Sequence, residues 1–149
     1  MTAFAVKHIA RNRGPLVNRL STYSCEPCSF TSKNQESCEA AKGNIIYVIE
    51  VRLISRRTTY WLGYKYVARK QVTHPLPGKW DGRFTYMNKS AAPPFAEGMY
   101  FDSPVQITNA KFCKWYARES FGMVELPSLL CAPLEEMFLA PGSGARKCA

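Results

Sequence analysis

Three cysteines in the first third of the chain have the residue type and spacing for chemistry. Cys25-Glu26-Pro27-Cys28 is a CxxC step, and Cys38 follows ten residues on. Two thiolates at CxxC spacing fold back onto one metal ion, as at the start of a zinc knuckle. Cys38 supplies a third ligand. A tetrahedral site needs a fourth, and no second CxxC or HxxxH follows. His8, His74, Cys113, Cys131 and Cys148 reach such a site only through folding. Cys25, Cys28 and Cys38 are therefore half of a zinc motif. The competing readings are loop thiols without metal, or a CxxC redox pair. No βαβ pattern surrounds the CxxC, which weakens a thioredoxin-like reading.

Catalytic signatures are sparse. A nucleophile or general base needs an orienting group beside it. The chain has two histidines, His8 and His74, and neither falls in a recognisable motif. There is no GxGxxG, P-loop, HExxH or GxSxG. Glu135-Glu136 reads as a solvated step on a helix. The expectation is a protein that is not an enzyme.

Charge is the stronger signal. Twenty basic against 11 acidic side chains give a net charge of +9. A balance of this sign favours nucleic acid, an acidic protein surface or an anionic membrane face. The charge is uneven. Lys7, Arg11, Arg13 and Arg19 all precede the first acidic residue, Glu26. Arg52, Arg56, Arg57, Lys65, Arg69 and Lys70 form a second basic zone.

The elements that position these groups follow from periodicity. Ile45, Tyr47, Ile49, Val51 and Leu53 alternate along one strand, and Tyr60, Leu62, Tyr64 and Tyr66 share one face of a second. Ser55-Arg56-Arg57 connects them, so the two form an antiparallel hairpin. Arg83–Met87 reads as a further strand between loops at His74–Gly82 and Asn88–Gly98. Met99–Phe101 and Met123–Leu126 are short strands. Ser103 as N-cap, Pro104 at the first helical position and Gln106 in a capping box predict a helix over Pro104–Phe121, stopped by Gly122. Its side with Val105, Thr108, Phe112, Trp115, Tyr116 and Glu119 faces the core. Ile107, Lys111, Lys114 and Arg118 lie opposite. Phe4, Val6 and Ile9 anchor a short strand or helical turn, Glu36–Lys42 adds a turn of helix, and Leu129–Leu139 forms a tail helix. The expected fold class is α+β: an antiparallel sheet of about four strands with one main helix packed on one face. Residues 1–43 read as a basic N-terminal extension with a cysteine loop, 44–127 as the α+β domain, and 128–149 as a C-terminal tail.

Hydrophobic content of 46% and aromatic content of 13% exclude global disorder. No apolar run approaches the roughly 20 residues that span a bilayer. No secretory signal opens the chain. A soluble cytoplasmic protein without membrane contact is expected.

Tyr60-Trp61-Leu62-Gly63 in a hairpin, Tyr100-Phe101-Asp102-Ser103-Pro104 opening a helix that ends Lys114-Trp115-Tyr116-Ala117-Arg118, and then Gly122-Met123-Val124-Glu125-Leu126-Pro127, resemble small accessory or early proteins of tailed bacteriophages. The resemblance covers about half the chain. It implies a non-enzymatic host-interaction protein of the host bacterial cytoplasm, such as an anti-defence inhibitor, that binds and modulates a host protein or complex. The residues expected to contact an acidic partner are Arg52, Arg56, Arg57, Lys65, Arg69, Lys111, Lys114 and Arg118. The alternative is a single-stranded nucleic-acid or RNA-binding module, zinc-stabilised through the cysteines. Its basic groups would neutralise phosphates while Tyr60, Trp61, Tyr64 and Tyr66 stack on bases.

Overall fold

The computed structural model describes residues 2–13, 15–16, 28–31, 35–75, 84–89, 98–119 and 122–147. In chain order the elements are β1 (Ala3–Ile9), α1 (Ala10–Arg13), β2 (Cys28–Thr31), α2 (Gln35–Ala40), β3 (Ile45–Ile54), β4 (Arg57–Val67), β5 (Lys70–Pro75), β6 (Phe84–Lys89), β7 (Met99–Gln106), α3 (Ala110–Tyr116), β8 (Met123–Leu126), α4 (Ser128–Leu139) and β9 (Ala145–Lys147). A six-stranded sheet runs β8-β1-β3-β4-β7-β9, and a three-stranded sheet runs β2-β6-β5.

The expected four-stranded antiparallel α+β fold is thus overturned. The fold is mixed and strand-rich. β1 pairs in parallel with β3, from Ala3↔Ile45 to Ile9↔Val51, while the other neighbours in the large sheet are antiparallel. The physical cause is burial on both faces. Ala3, Phe4, Ala5 and Val6 are all buried, as are Ile46 to Glu50. Strands covered on both sides carry continuous apolar runs, and such runs mark the centre of a sheet.

Each face has its own core. On one, Tyr47, Ile49, Tyr60 and Leu62 pack with Phe112 and Tyr116 of α3 and Leu130, Leu134 and Phe138 of α4. On the other, Phe4, Val6, Ile46, Val48, Tyr64 and Tyr66 pack with Leu16, Cys38, Ala41 and Met123. The second sheet is tied to this side through buried Asn88. Its Nδ2 donates to the Cys38 carbonyl at 2.9 Å, and the Tyr66 hydroxyl donates to the Asn88 carbonyl at 3.0 Å.

The helix expected over Pro104–Phe121 is shorter and starts later. Asp102 to Gln106 belong to β7, and α3 begins at Ala110. Asn109 is the cap: its Oδ1 accepts the Phe112 N–H at 2.9 Å. Ser103-Pro104 is tolerated in the strand because Pro104 falls between two paired stretches. β7 meets β4 at Met99–Tyr100 and again at Val105–Gln106, so the missing proline N–H breaks no ladder bond. The expected faces shift accordingly. Ile107 is buried and Thr108 exposed, while Phe112 and Tyr116 face the core as expected.

A bulge separates the four residues expected on one face of β4. Val48 pairs with Tyr64 and Ile49 with Leu62, so Gly63 is the extra residue. Beyond it the alternation inverts. Tyr60 and Leu62 enter one core, and Tyr64 and Tyr66 enter the other. A Cβ on Gly63 would stand 2.5 Å from Leu16 Cδ1. Leu16 is only 1% exposed and has little room to yield. Gly63→Ala is expected to cost about 1–3 kcal/mol by overpacking. In a Leu16→Ala background the same substitution should cost under about 1 kcal/mol, because the two sites couple directly. Chemical denaturation of the four-member cycle checks this; equal costs in both backgrounds would show that Leu16 does not hold Gly63.

Candidate functional site: a basic arm

The β3–β4 hairpin outruns both its neighbours. β1 ends opposite Val51, and β7 ends opposite Trp61. The pairs Arg52↔Thr59, Leu53↔Thr58 and Ile54↔Arg57 therefore stand beyond the sheet as a two-stranded arm. Its turn is Ser55-Arg56, with φ of 51° and 62°. Both residues lie in the left-handed region that favours glycine, the geometry of the tight two-residue turn that matches strand twist. Such conformations cost about 1–3 kcal/mol each and persist only where the surroundings enforce them. Here that enforcement is the two-residue register itself.

The arm's base is fixed by charge. Glu50 is fully buried. Its Oε2 accepts the Leu16 N–H at 2.8 Å, and its Oε1 accepts from Arg52 Nε. A buried carboxylate without such partners is strongly destabilising. The Arg52 guanidinium lies 4.2 Å from the centre of the Trp61 ring. Trp61 Nε1 donates to Thr59 Oγ1 at 2.9 Å, and that hydroxyl donates to the Arg52 carbonyl at 3.1 Å. One strand is thereby laced to the other.

The tip is exposed and of mixed character. Leu53 and Ile54 are 64% and 46% exposed. Arg56 and Arg57 are exposed beside them. α3 covers the foot of the arm on one face: Tyr60 lies 5.2 Å from Tyr116 and 6.5 Å from Phe112, ring centre to ring centre. Lys111, Lys114 and Arg118 on and just after α3 are exposed, as is Arg11 of α1, the helix that follows β1. Among the described residues no carboxylate pairs with Arg56, Arg57, Lys111, Lys114 or Arg118.

The structure divides the expected contact residues. Arg52, Arg56 and Arg57 form the arm, with Lys111, Lys114 and Arg118 on the helix at its foot. Lys65 and Arg69 lie towards the other end of β4. Lys65 Nζ donates to both oxygens of Glu135, at 2.7 and 2.8 Å, and Glu135 also accepts from the Tyr47 hydroxyl. Lys65 thus fastens α4 to the sheet. Arg69 sits in the connection to β5, where its N–H donates to the Lys89 carbonyl. The tyrosines expected to stack on bases are core: Tyr60, Tyr64 and Tyr66 are 5%, 7% and 0% exposed. Two features have only faint sequence signals. Glu50 interrupts an apolar strand, which marks a buried charge. Leu53-Ile54 abuts a polar turn, which marks an exposed apolar pair.

Of the cysteine set, Cys25 lies outside the described residues and Cys28 begins β2. Cys38 is buried on α2, and burial pushes its thiol up from the ordinary value. Among the described residues no three His, Cys, Asp or Glu side chains stand together as a metal site. Burial likewise pushes up the thiols of Cys113 and Cys131, which donate to the carbonyls of Ile107 and Pro127. Among the described residues no helix is long and apolar enough to cross a membrane.

No family model, curated protein or solved structure matches the chain.

Three phenols set a pH dependence. Burial holds Tyr47, Tyr60 and Tyr116 above their ordinary values, and hydrogen bonding to Glu135 adds to the effect at Tyr47. A raised pKa in the folded state gives stability that is complete below the unfolded value and lost above it. Burial lowers the Lys7 amine, which opposes the trend, but the raised thiols of Cys38, Cys113 and Cys131 act with the phenols, so one group stands against six. The urea midpoint should therefore fall from about pH 9 to about pH 11, and fall less in Tyr47→Phe. A midpoint that rises over this range would contradict the burial of the phenols.

Proposed function

We propose that the chain is a non-enzymatic binding protein that grips an acidic partner with the β3–β4 arm and the cations at its foot. The observation that carries the reading is the exposure of Arg56 and Arg57 at the tip of the arm, with exposed Lys111, Lys114 and Arg118 on and just after the helix whose rings pack on Tyr60 at its foot. An evolved core has no use for guanidinium groups at the end of a projecting arm. Their planar donors fork onto carboxylates or phosphates, a geometry lysine cannot copy. The arm is held at its base before any partner arrives, so little conformational entropy is lost on binding. Modulation of a host protein or complex, as the phage resemblance implies, is the wider form of this proposal. Base stacking on a single strand has less support, since the tyrosines it would use are buried.

Immobilised heparin is a defined polyanion with which to test the reading. Arg56→Glu with Arg57→Glu is compared with Lys42→Glu with Lys70→Glu. The second pair makes the same change in net charge at exposed positions away from the arm. The arm variant should elute at clearly lower salt than the control. Equal elution would show that retention follows net charge, and would remove the arm as the interface.

A further inference from the structure

We infer that the partner of the arm is duplex DNA, with the arm entering the major groove. The inference rests on the arm being the interface, and three features of that interface narrow the partner. The first is shape. Among the described residues, three cross-strand pairs stand beyond the last pairings with β1 and β7. At about 3.3 Å per residue, with strands about 4.8 Å apart, they form a ribbon about 10 Å long. The B-form major groove is about 12 Å wide and about 8.5 Å deep, and it admits a two-stranded ribbon. The deep, narrow major groove of A-form RNA does not admit one.

The second feature is the placement of charge. A ribbon in a groove has a phosphate strand on either side. Cations are needed on both flanks of the arm as well as at its tip. α3, with exposed Lys111 and Lys114, covers the foot of the arm on the face of Tyr60. α1, with exposed Arg11, continues β1 directly beside the end of the Ile9↔Val51 pairing. Arg56 and Arg57 occupy the tip.

The third feature is the chemistry of the tip. Arginine bonds in bidentate fashion to the O6 and N7 acceptors of guanine, and apolar side chains meet the thymine methyl. Arg56 and Arg57 beside exposed Leu53 and Ile54 offer both contacts. Single-strand recognition needs exposed rings instead. Tyr60, Tyr64 and Tyr66 are buried, and the Trp61 ring is taken by the Arg52 guanidinium.

The test is fluorescence anisotropy of the full chain with three labelled probes. They are a DNA duplex of about two turns, one of its strands alone, and poly-L-glutamate. The duplex should bind most tightly, with affinity falling linearly in log–log against salt. Arg56→Gln with Arg57→Gln, which removes the base contacts, should weaken duplex binding at least about tenfold, while Lys111→Gln with Lys114→Gln, which removes two phosphate contacts, should flatten the salt slope by about 2. Leu53→Ser with Ile54→Ser should weaken duplex binding with the slope unchanged. Thermal melting shows that each variant is folded. Dimethyl sulfate, which attacks guanine N7 in the major groove, should find N7 protected in the saturated complex. Open N7 with the duplex bound, or a strand bound as tightly as the duplex, would overturn the inference. A duplex left unbound while polyglutamate binds would also overturn it; the partner would then be an acidic protein, and the arm would remain the interface. Loss of binding to every polyanion would remove both readings.

Discussion

A single buried carboxylate ties three parts of this molecule together. Glu50 sits in the middle of the sheet with no exposure to water. Left alone there, an ion is strongly destabilising, so the fold must bring it donors. It brings two. The Leu16 N–H arrives from the segment after α1, and Arg52 arrives from the next residue on the same face of β3. The first contact fixes the chain after β1 against β3. The second sets the guanidinium over Trp61 and so braces the arm. Neither contact is optional, because removing one leaves a buried group unsatisfied. The same contacts that stabilise the core thus hold the arm ready.

The bulge at Gly63 completes that arrangement. Without it, Tyr60, Leu62, Tyr64 and Tyr66 would all face α3 and α4, and the opposite face would lose two aromatic rings. With it, β4 serves two cores, and Leu16 fits against the bare glycine. Leu16 therefore has two tasks. Its side chain fills the bulge, and its N–H satisfies Glu50. The bulge, the second core and the footing of the arm share one residue. Bulges concentrate where a strand must re-aim its side chains, and this one lies just inside the point where the arm leaves the sheet.

The sequence discloses the arm well and the sheet around it poorly. Strict alternation through Ile45–Leu53 and Tyr60–Val67 marks two strands, and a short polar break between them marks a hairpin. The arginines at its tip follow from position alone. Parallel pairing of β1 with β3 was not legible, because no local pattern names a partner some forty residues away. Nor was the bulge: a lone glycine in an alternating run signals one only weakly. Ser103-Pro104 carries a genuine helix-start pattern. It was overridden by pairing with β4 and by the better-placed cap at Asn109. Lys65 looks like its arginine neighbours in the sequence. Only the packing of α4, which brings Glu135 over it, shows that its charge is already used.

The central claim is that one end of the large sheet is the binding surface and the rest is scaffold. Hydrogen–deuterium exchange with and without a saturating heparin fragment tests it most directly, residue segment by residue segment. The account predicts added protection in Arg52–Thr59 and in Ala110–Arg118. It predicts no change around Lys65, in β9 or in the three-stranded sheet. Protection confined to α2 and that second sheet, with the arm amides unaffected, would contradict it.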